Sequence, residues 1–233
     1  MMTSAMSLKI KSWRSVVKWS IWGILSVLLL IFLIRVAVFE HNYYSEKEGS
    51  ERAVAVEAEE QQEELVEIEP TVEEKKEYIV AADRPRYLSI AKIGVERARI
   101  LPMGVNSKGE LATPSNIFDV GWYDASGKPG QGGTMIIDGH NGGPHVLGVF
   151  KNLPDLAAGD IIAIERGDGA IFRYSVVENN TVPLAESDAY MKTAAKSPVA
   201  GKESVTLISC TGEWSQQQKT YLSRQFTRAI LVD

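Results

Sequence analysis

The chain has 233 residues and a hydrophobic fraction of 45%, which allows one folded domain with appendages or two small domains. Its formal net charge of -5 gives no general case for nucleic-acid binding, because a phosphate backbone is bound by basic surfaces. The acidity is concentrated in one stretch, so it describes a segment of the chain and not a partner. Nucleic acid is therefore not among the expected partners.

An apolar run at residues 19–34 is the first element, and apolar residues continue beyond Arg35 to Phe39. Counted to Phe39, it has about the 20 residues that a bilayer-spanning helix needs. Arg35 lies near one end, where a long side chain can reach the headgroups. The run exceeds the roughly 7–15 residues of a signal-peptide core and lacks a clear small-x-small cleavage site, which favours an uncleaved anchor over a cleaved signal peptide.

The charges on either side of this run predict its orientation. Basic residues precede it and acidic residues follow it: Lys9, Lys11, Arg14 and Lys18 on one side, Glu40, Glu46 and Glu48 on the other. Because the flank richer in Lys and Arg stays in the cytoplasm, everything after Phe39 is predicted to lie outside the membrane. The sequence therefore predicts a single-pass protein of the cell membrane, with a cytoplasmic N-terminus at 1–18, an anchor at 19–39 and an extracellular remainder.

Residues 40–85 are predicted to form an acidic linker. Glutamate dominates residues 46–77 and aromatic residues are few there, so this stretch cannot bury enough apolar surface to fold alone. Pro70 and Thr71 interrupt any long helix in it. The linker is expected to hold the domain at residues 86–233 away from the membrane.

From about Arg86 the sequence changes to short β-rich segments separated by Gly, Pro, Asn and Asp. Seven segments have the pattern of strands: 87–93, 97–101, 133–138, 160–165, 170–177, 204–210 and 221–232. This many short strands indicates an all-β domain built as a closed or nearly closed barrel. One short helix is predicted at 187–195, with Ser187 as its N-cap.

Cys210 is the only cysteine, so it has no intramolecular disulfide partner. An unpaired thiol outside the cytoplasm is prone to oxidation unless it is buried or used, and a buried structural thiol is one alternative. Cys210 ends the predicted strand 204–210, and Thr211-Gly212 is expected to turn the chain after it. A nucleophile there is held by the sheet and open to substrate, but an ordinary thiol with a pKa of ~8.5 needs a base or a cation nearby.

His140 is the candidate base among three histidines. It follows the predicted strand 133–138 through Gly139, and the glycines after it permit close backbone approach. His41 is next to the predicted membrane anchor, and His145 lies inside a loop with nothing rigid around it. The rigid strand end therefore favours His140 as the general acid–base.

Arg224 is the candidate for stabilising negative charge on a substrate carbonyl, because a guanidinium is always ionised and donates from a planar fork. It lies near the start of strand 221–232, which follows the Cys210 strand after a polar loop. If the two strands pair, Arg224 faces the end of the Cys210 strand. The two-residue period places Arg228 on the same face, ~13 Å further along, where we expect a solvated surface side chain.

These residues resemble the sortase family. Thr206-Leu207-Ile208-Ser209-Cys210 is similar to the sortase signature Thr-Leu-x-Thr-Cys, with serine in place of the last threonine, and Gly139-His140 matches its strand-end Gly-His. The segments 148–156 and Gly159-Asp160 resemble the family's Phe-x-x-Leu and Gly-Asp spacing, and Arg224 matches its arginine. The resemblance extends over residues 87–232, and the order His, Cys, Arg in these contexts is specific.

The resemblance implies an eight-stranded sortase barrel that cleaves a C-terminal sorting signal of the Leu-Pro-x-Thr-Gly (LPxTG) type between Thr and Gly. Cys210 would then be the nucleophile that forms a thioacyl intermediate, His140 the general acid–base and Arg224 the group that holds the carbonyl oxygen. The implied partners are surface proteins carrying such a signal, and an acceptor amine from a cell-wall precursor or a pilin lysine.

Two rival interpretations remain at this stage. A cysteine L,D-transpeptidase of peptidoglycan also combines an external Cys and His, but its Ser-x-Gly-Cys-x-Arg pattern is not matched around Cys210. A non-catalytic adhesion or scaffold module on a stalk is the alternative from another class. No cofactor or metal is predicted, since the histidines lack a ligand cluster and the acidic pair Glu186 and Asp188 is too small to argue for calcium.

Overall fold

The computed structural model describes residues 35, 38, 65–106 and 109–233. Within them the strands are β1 Pro85–Ile90, β2 Val95–Met103, β3 Val120–Tyr123, β4 Thr134–Gly139, β5 Ile161–Arg166, β6 Ile171–Pro183, β7 Ser204–Ser215 and β8 Thr220–Leu231. They close into a barrel in the order β1-β2-β3-β4-β7-β8-β6-β5, with β5 paired to β1. The predicted closed barrel of eight strands is confirmed.

The pairs β2–β3 and β4–β7 are parallel, and the other neighbouring strands are antiparallel. Alternate residues point into the barrel, as Met135 and Ile137 do in β4 and Val205 and Leu207 do in β7. Together with Trp122 and the other buried side chains, they fill one continuous core. The residues between them therefore face the outside of the barrel.

Helix α2, Leu184–Ala194, covers part of this outer face, and a shorter helix, α1, spans Val72–Glu77. Tyr190 and Met191 of α2 pack against Phe226 of β8 and Ile208 of β7, in a small apolar cluster separate from the barrel core. The helix begins three residues earlier than predicted, and Ser187 is not its cap. Pro183 ends β6 and α2 follows at once, so Ser187 lies inside the first turn and donates to the Leu184 carbonyl at 2.8 Å.

The end of the acidic segment lies against the barrel. Thr71 caps α1 by accepting from the Glu74 amide, and the Glu74 side chain accepts from the Thr71 amide in return. Tyr78 Oη then donates to the Ile100 carbonyl of β2 at 2.5 Å. Residues from Glu64 onward belong to the same compact unit as the barrel, which adds a folded part to the predicted linker at 40–85.

Several strand bounds differ from the sequence-based ones, and β3 was missed. Its sequence Val-Gly-Trp-Tyr is four residues long and contains glycine, so it has no clear alternating pattern. β1 ends at Ile90, and Ala91–Ile93 form a 3₁₀ helix that ends at Gly94 with φ 74°. β6 continues to Pro183 and β7 continues to Ser215, both beyond the predicted ends.

Almost all of the predicted anchor at 19–39, and all of residues 1–18, lie outside the described residues. Among the residues that are described, no helix has the length and apolar character needed to cross a bilayer.

Candidate active site

Cys210 lies on the outer face of β7, since Val205 and Leu207 fill the core from the same strand. Its side chain is partly buried. The prediction that Thr211-Gly212 turns the chain is wrong. Gly212 has φ 83° and falls where the β7–β8 pairing becomes irregular, so it produces a bulge, and the chain turns later, at residues 216–219.

Arg224 is directly opposite Cys210 in the antiparallel pair β7–β8. Side chains of directly opposed residues share a face, with Cβ atoms about 4.5–5.5 Å apart. The Arg224 guanidinium donates from Nη1 to the carbonyls of Tyr221 and Ser223, at 2.9 and 3.1 Å, and from Nη2 to Thr220 Oγ1 at 3.2 Å. These contacts hold the cation beside the thiol, at the start of β8.

His140 approaches Cys210 from the other side, at the end of β4. The parallel register pairs Asp138 with Ile208, and Ser209 Oγ donates to the Gly139 carbonyl at 2.9 Å. Extending this register by two residues, just beyond the end of β4, brings the backbone of His140 level with that of Cys210 on the neighbouring strand. The three residues predicted from sequence therefore lie in one row, with Arg224 on β8, Cys210 on β7 and His140 directly after β4.

The hydrogen bond of His140 indicates its tautomer. Nε2 lies 2.8 Å from the Pro114 carbonyl oxygen, which only accepts, so Nε2 carries the proton and Nδ1 holds the lone pair of the neutral ring. Burial lowers the pKa of His140, while the bond to Pro114 opposes this shift. A ring whose pKa is below the usual ~6.5 is mostly neutral at pH 7.

Burial raises the pKa of the Cys210 thiol, with Arg224 opposing the shift and Asp138 adding to it. The resting site therefore holds a thiol and a neutral imidazole. The pair that can attack a carbonyl and protonate a leaving group, thiolate and imidazolium, is a minor fraction.

Asp138 and Thr113 belong to this site and were not singled out from sequence. Asp138 shares the outer face of β4 with His140, and Thr113 Oγ1 donates to its Oδ2 at 2.6 Å. Burial raises the pKa of Asp138 to about 7. The available signal was a lone carboxylate in the otherwise apolar strand Met135-Ile136-Ile137, but Thr113 is 25 residues away in the chain.

Of the other two histidines, only His145 is among the described residues. His145 is exposed in the loop after His140, and its backbone amide donates to Glu67 Oε1 at 2.9 Å. His41 lies outside the described residues.

Arg228 is not the solvated side chain that we expected. It is on the same outer face as Arg224, but α2 covers that part of the barrel and leaves the side chain only 5% exposed. Arg228 pairs with Glu178 and donates from Nη2 to the carbonyls of Thr193 and Lys196, at 3.2 and 2.8 Å. It therefore binds the C-terminal end of α2 to the barrel.

In the part of the chain that is described, no three His, Cys, Asp or Glu side chains cluster as metal ligands would.

A thiol with a guanidinium opposite it and an imidazole at the end of the neighbouring strand supplies the nucleophile, the charge-stabilising cation and the base that a cysteine acyltransferase needs. The sequence model of the family described as Sortase domain matches residues 88–232. The chain belongs to the sortase family, whose members are cysteine transpeptidases. No curated protein sequence matches the chain.

Solved structures similar to the chain are sortases as well. Sortase A from Corynebacterium diphtheriae is 27% identical, with a TM-score of 0.46, and the match covers 66% of this chain and 63% of that one. A Clostridium perfringens sortase D5 transpeptidase is 24% identical, with a TM-score of 0.45 and coverage of 70% and 90%. The pilus-related sortase C of Group B Streptococcus is 20% identical, with a TM-score of 0.46 and coverage of 74% and 77%.

Proposed function

We propose that this protein cleaves an LPxTG-like C-terminal sorting signal between Thr and Gly and transfers the protein to an acceptor amine at the cell surface. The observation that carries the proposal is the row of His140, Cys210 and Arg224 across β4, β7 and β8. Membership of the sortase family supports it, because sortases act on surface proteins with sorting signals and on pilins.

In the first half of the reaction, the thiol proton of Cys210 passes to His140 Nδ1, and Cys210 Sγ attacks the threonine carbonyl carbon. The bond from that carbon to the glycine nitrogen breaks, and His140 gives its Nδ1 proton to the leaving amine. In the second half, an amine attacks the thioester and His140 takes its proton. The carbon–sulfur bond then breaks and Cys210 leaves as thiolate, so no proton is gained or lost over the cycle.

Arg224 is assigned to the oxygen of the tetrahedral intermediate. Nη1 bonds to two carbonyls of its own strand and Nη2 bonds to Thr220, so these contacts fix the plane of the guanidinium. Nε–H and the second Nη2 hydrogen are the donors that we assign to the developing oxyanion. Because the guanidinium is already oriented, little reorganisation is needed when charge develops.

We further propose that residues 19–39 anchor the chain in the membrane and that residues 40–64 separate the anchor from the folded unit. The proposed donors are surface proteins with a sorting signal, and the proposed acceptors are a cell-wall precursor peptide or a pilin lysine. Both lie outside the membrane, which agrees with the orientation predicted from the flanking charges. No metal or cofactor is required by this chemistry.

The test uses purified full-length chain and a fluorogenic peptide library built on Leu-Pro-x-Thr-Gly, with an oligoglycine or a lysine side chain as the acceptor amine. Wild type should release the fragment after Thr, form the new amide when acceptor is added, and show a thioacyl adduct on Cys210 by intact mass. Cys210→Ala is the matched control and should do none of these. Cleavage of no library member, with Cys210 reactive to iodoacetamide, would refute the proposed substrate class.

A further inference from the structure

Asp138 lies beside the proposed catalytic residues and has no role in the proposed reaction. It is two residues before His140 on β4, and its register partner Ile208 is two residues before Cys210 on β7. Two residues along a strand correspond to about 6.6 Å. On the same face of the sheet, the Cα atom of Asp138 is therefore ~6.6 Å from that of His140 and, diagonally across to the next strand, ~8 Å from that of Cys210.

The surroundings of Asp138 leave its charge without a cation. On β3 its register partner is Gly121, where a Cβ would lie 2.5 Å from Asp138 Oδ1, so that only glycine leaves room for the carboxyl group. The segment before β3 supplies the Thr113 hydroxyl. The titratable neighbours are His140 on its own strand and Cys210 on β7, and no basic side chain among the described residues pairs with it.

Asp138 and Arg224 act on the thiol in opposite directions. The cation favours the thiolate and the carboxylate disfavours it. Because burial raises the pKa of Asp138 to about 7, this carboxyl group loses its proton in the neutral range, where a thiolate is needed. Below that range Asp138 is uncharged, and the influence of Arg224 on the pKa of Cys210 is opposed by burial alone.

We propose that Asp138 is a positioning residue that sets the ionisation of Cys210: as a carboxylate it holds the thiol protonated, and as a neutral acid it releases that restraint. Thr113 sets the pH at which the change occurs, since its hydrogen bond favours the carboxylate. The effect on turnover rests on the proposed function. The effect on the thiol does not.

The experiment measures the rate of Cys210 alkylation by iodoacetamide on the full-length chain, from about pH 5.5 to about pH 10. Asp138→Asn keeps the shape of the side chain and removes its charge. It should alkylate about three- to tenfold faster than wild type near pH 8, which is the size expected for one charge at this separation in a partly solvated site. The ratio should approach one near pH 5.5, where Asp138 is protonated, and should fall again at the alkaline end of the range as the thiol ionises in both proteins.

Thr113→Val should move the lower transition to higher pH, because the carboxylate loses a donor. Asp168→Asn, at an exposed ion pair with Arg166, is the matched control and should behave as wild type. In wild type itself, a plot of the logarithm of the alkylation rate against pH should have a slope below one near pH 7. A pH-independent ratio for Asp138→Asn, or, if that variant does not fold, a single-ionisation curve in both wild type and Thr113→Val, would overturn the proposal.

Alkylation needs no substrate, so it separates this proposal from the proposed function. Loss of the pH-dependent ratio refutes the role of Asp138 even if the peptide is cleaved. An intact ratio in a protein that cleaves no sorting peptide leaves the role of Asp138 standing and refutes the substrate.

Discussion

Arg224 and Arg228 share one face of β8. Replacing each with alanine should distinguish an effect on the reaction rate from an effect on the stability of the fold. Arg224 lies opposite Cys210, whereas Arg228 lies opposite Thr206 and under α2. For Arg224→Ala we expect kcat to fall by roughly 10²–10³-fold, or about 2.7–4 kcal/mol, the loss typical of one oxyanion donor. The thermal stability of this variant should change little, because Arg224 contacts only half-buried carbonyls and a hydroxyl of its own strand.

Arg228→Ala should have the reverse profile. It removes an ion pair to Glu178, which is 38% exposed and so remains partly solvated, together with two hydrogen bonds to the end of α2. We therefore expect a loss of about 2–4 kcal/mol, below the cost of a fully buried unpaired charge. For a domain of this size that lowers Tm by about 5–15 °C. The kcat of the folded fraction should stay within about threefold of wild type.

The assay is peptide cleavage at a temperature where both variants are folded, together with thermal unfolding followed by far-UV circular dichroism. Arg224→Lys keeps the charge and loses the planar fork, so it should recover only part of the rate if oxyanion geometry matters. Full activity of the lysine variant would mean that a positive field near the thiol suffices. If Arg228→Ala lost more kcat than Arg224→Ala at equal folded fraction, the assignment of the oxyanion donor from the β7–β8 register would be refuted.

Four further outcomes are expected. Cys210→Ala should abolish turnover and adduct formation with a Tm near that of wild type, because a partly exposed thiol contributes little to packing; residual turnover would contradict the thioacyl mechanism. His140→Ala should lower kcat/KM by at least ~10²-fold and His145→Ala should have little effect, and the opposite order would mean a wrong base. Because burial lowers the pKa of His140 and raises that of Cys210, the bell-shaped pH profile of kcat/KM should have an acid limb below pH ~6.5 and an alkaline limb above pH ~8.5; a narrower bell would contradict the neutral resting pair. Glu67→Ala should speed hydrogen exchange at the His145 and Val146 amides about tenfold or more, with barrel amides unchanged, and equal exchange would show that Glu67 does not order this loop.

The barrel could be predicted because most of its strands have a recognisable local sequence pattern. Short alternating segments ended by glycine, proline or asparagine gave seven of the strands that the structure describes. β3 was not predicted, because four residues are too few to show an alternating pattern of apolar and polar residues. Its position in the barrel depends on parallel pairing with β2. The full length of β7 was not predicted, because a glycine such as Gly212 is typical of a turn. In the structure β7 pairs with β8 on both sides of the bulge at Gly212, so the strand continues.

The candidate site could be predicted only as far as the order of the strands in the barrel could be predicted. A histidine and a cysteine at the ends of two apolar strands, and an arginine early in the next one, form a row once those strands are neighbours. What surrounds the row depends on contacts that are distant in sequence. Burial of Arg228 requires α2 to lie over it, and the environment of Asp138 requires Thr113 and Gly121 to converge on it.

The alignment of His140, Cys210 and Arg224 depends on the pairing register of β7 with its two neighbouring strands. It is the middle strand of three: its antiparallel ladder with β8 pairs Cys210 with Arg224, and its parallel ladder with β4 continues to Asp138 and Ile208, two residues before His140 and Cys210. A slip of one residue would turn Cys210 into the core and bring Ser209 or Thr211 to the outer face. Burial of Val205 and Leu207 opposes such a slip with about 1.5–3 kcal/mol for each side chain. The apolar core thus specifies the alignment of the proposed catalytic groups, although none of its side chains is assigned a part in the chemistry.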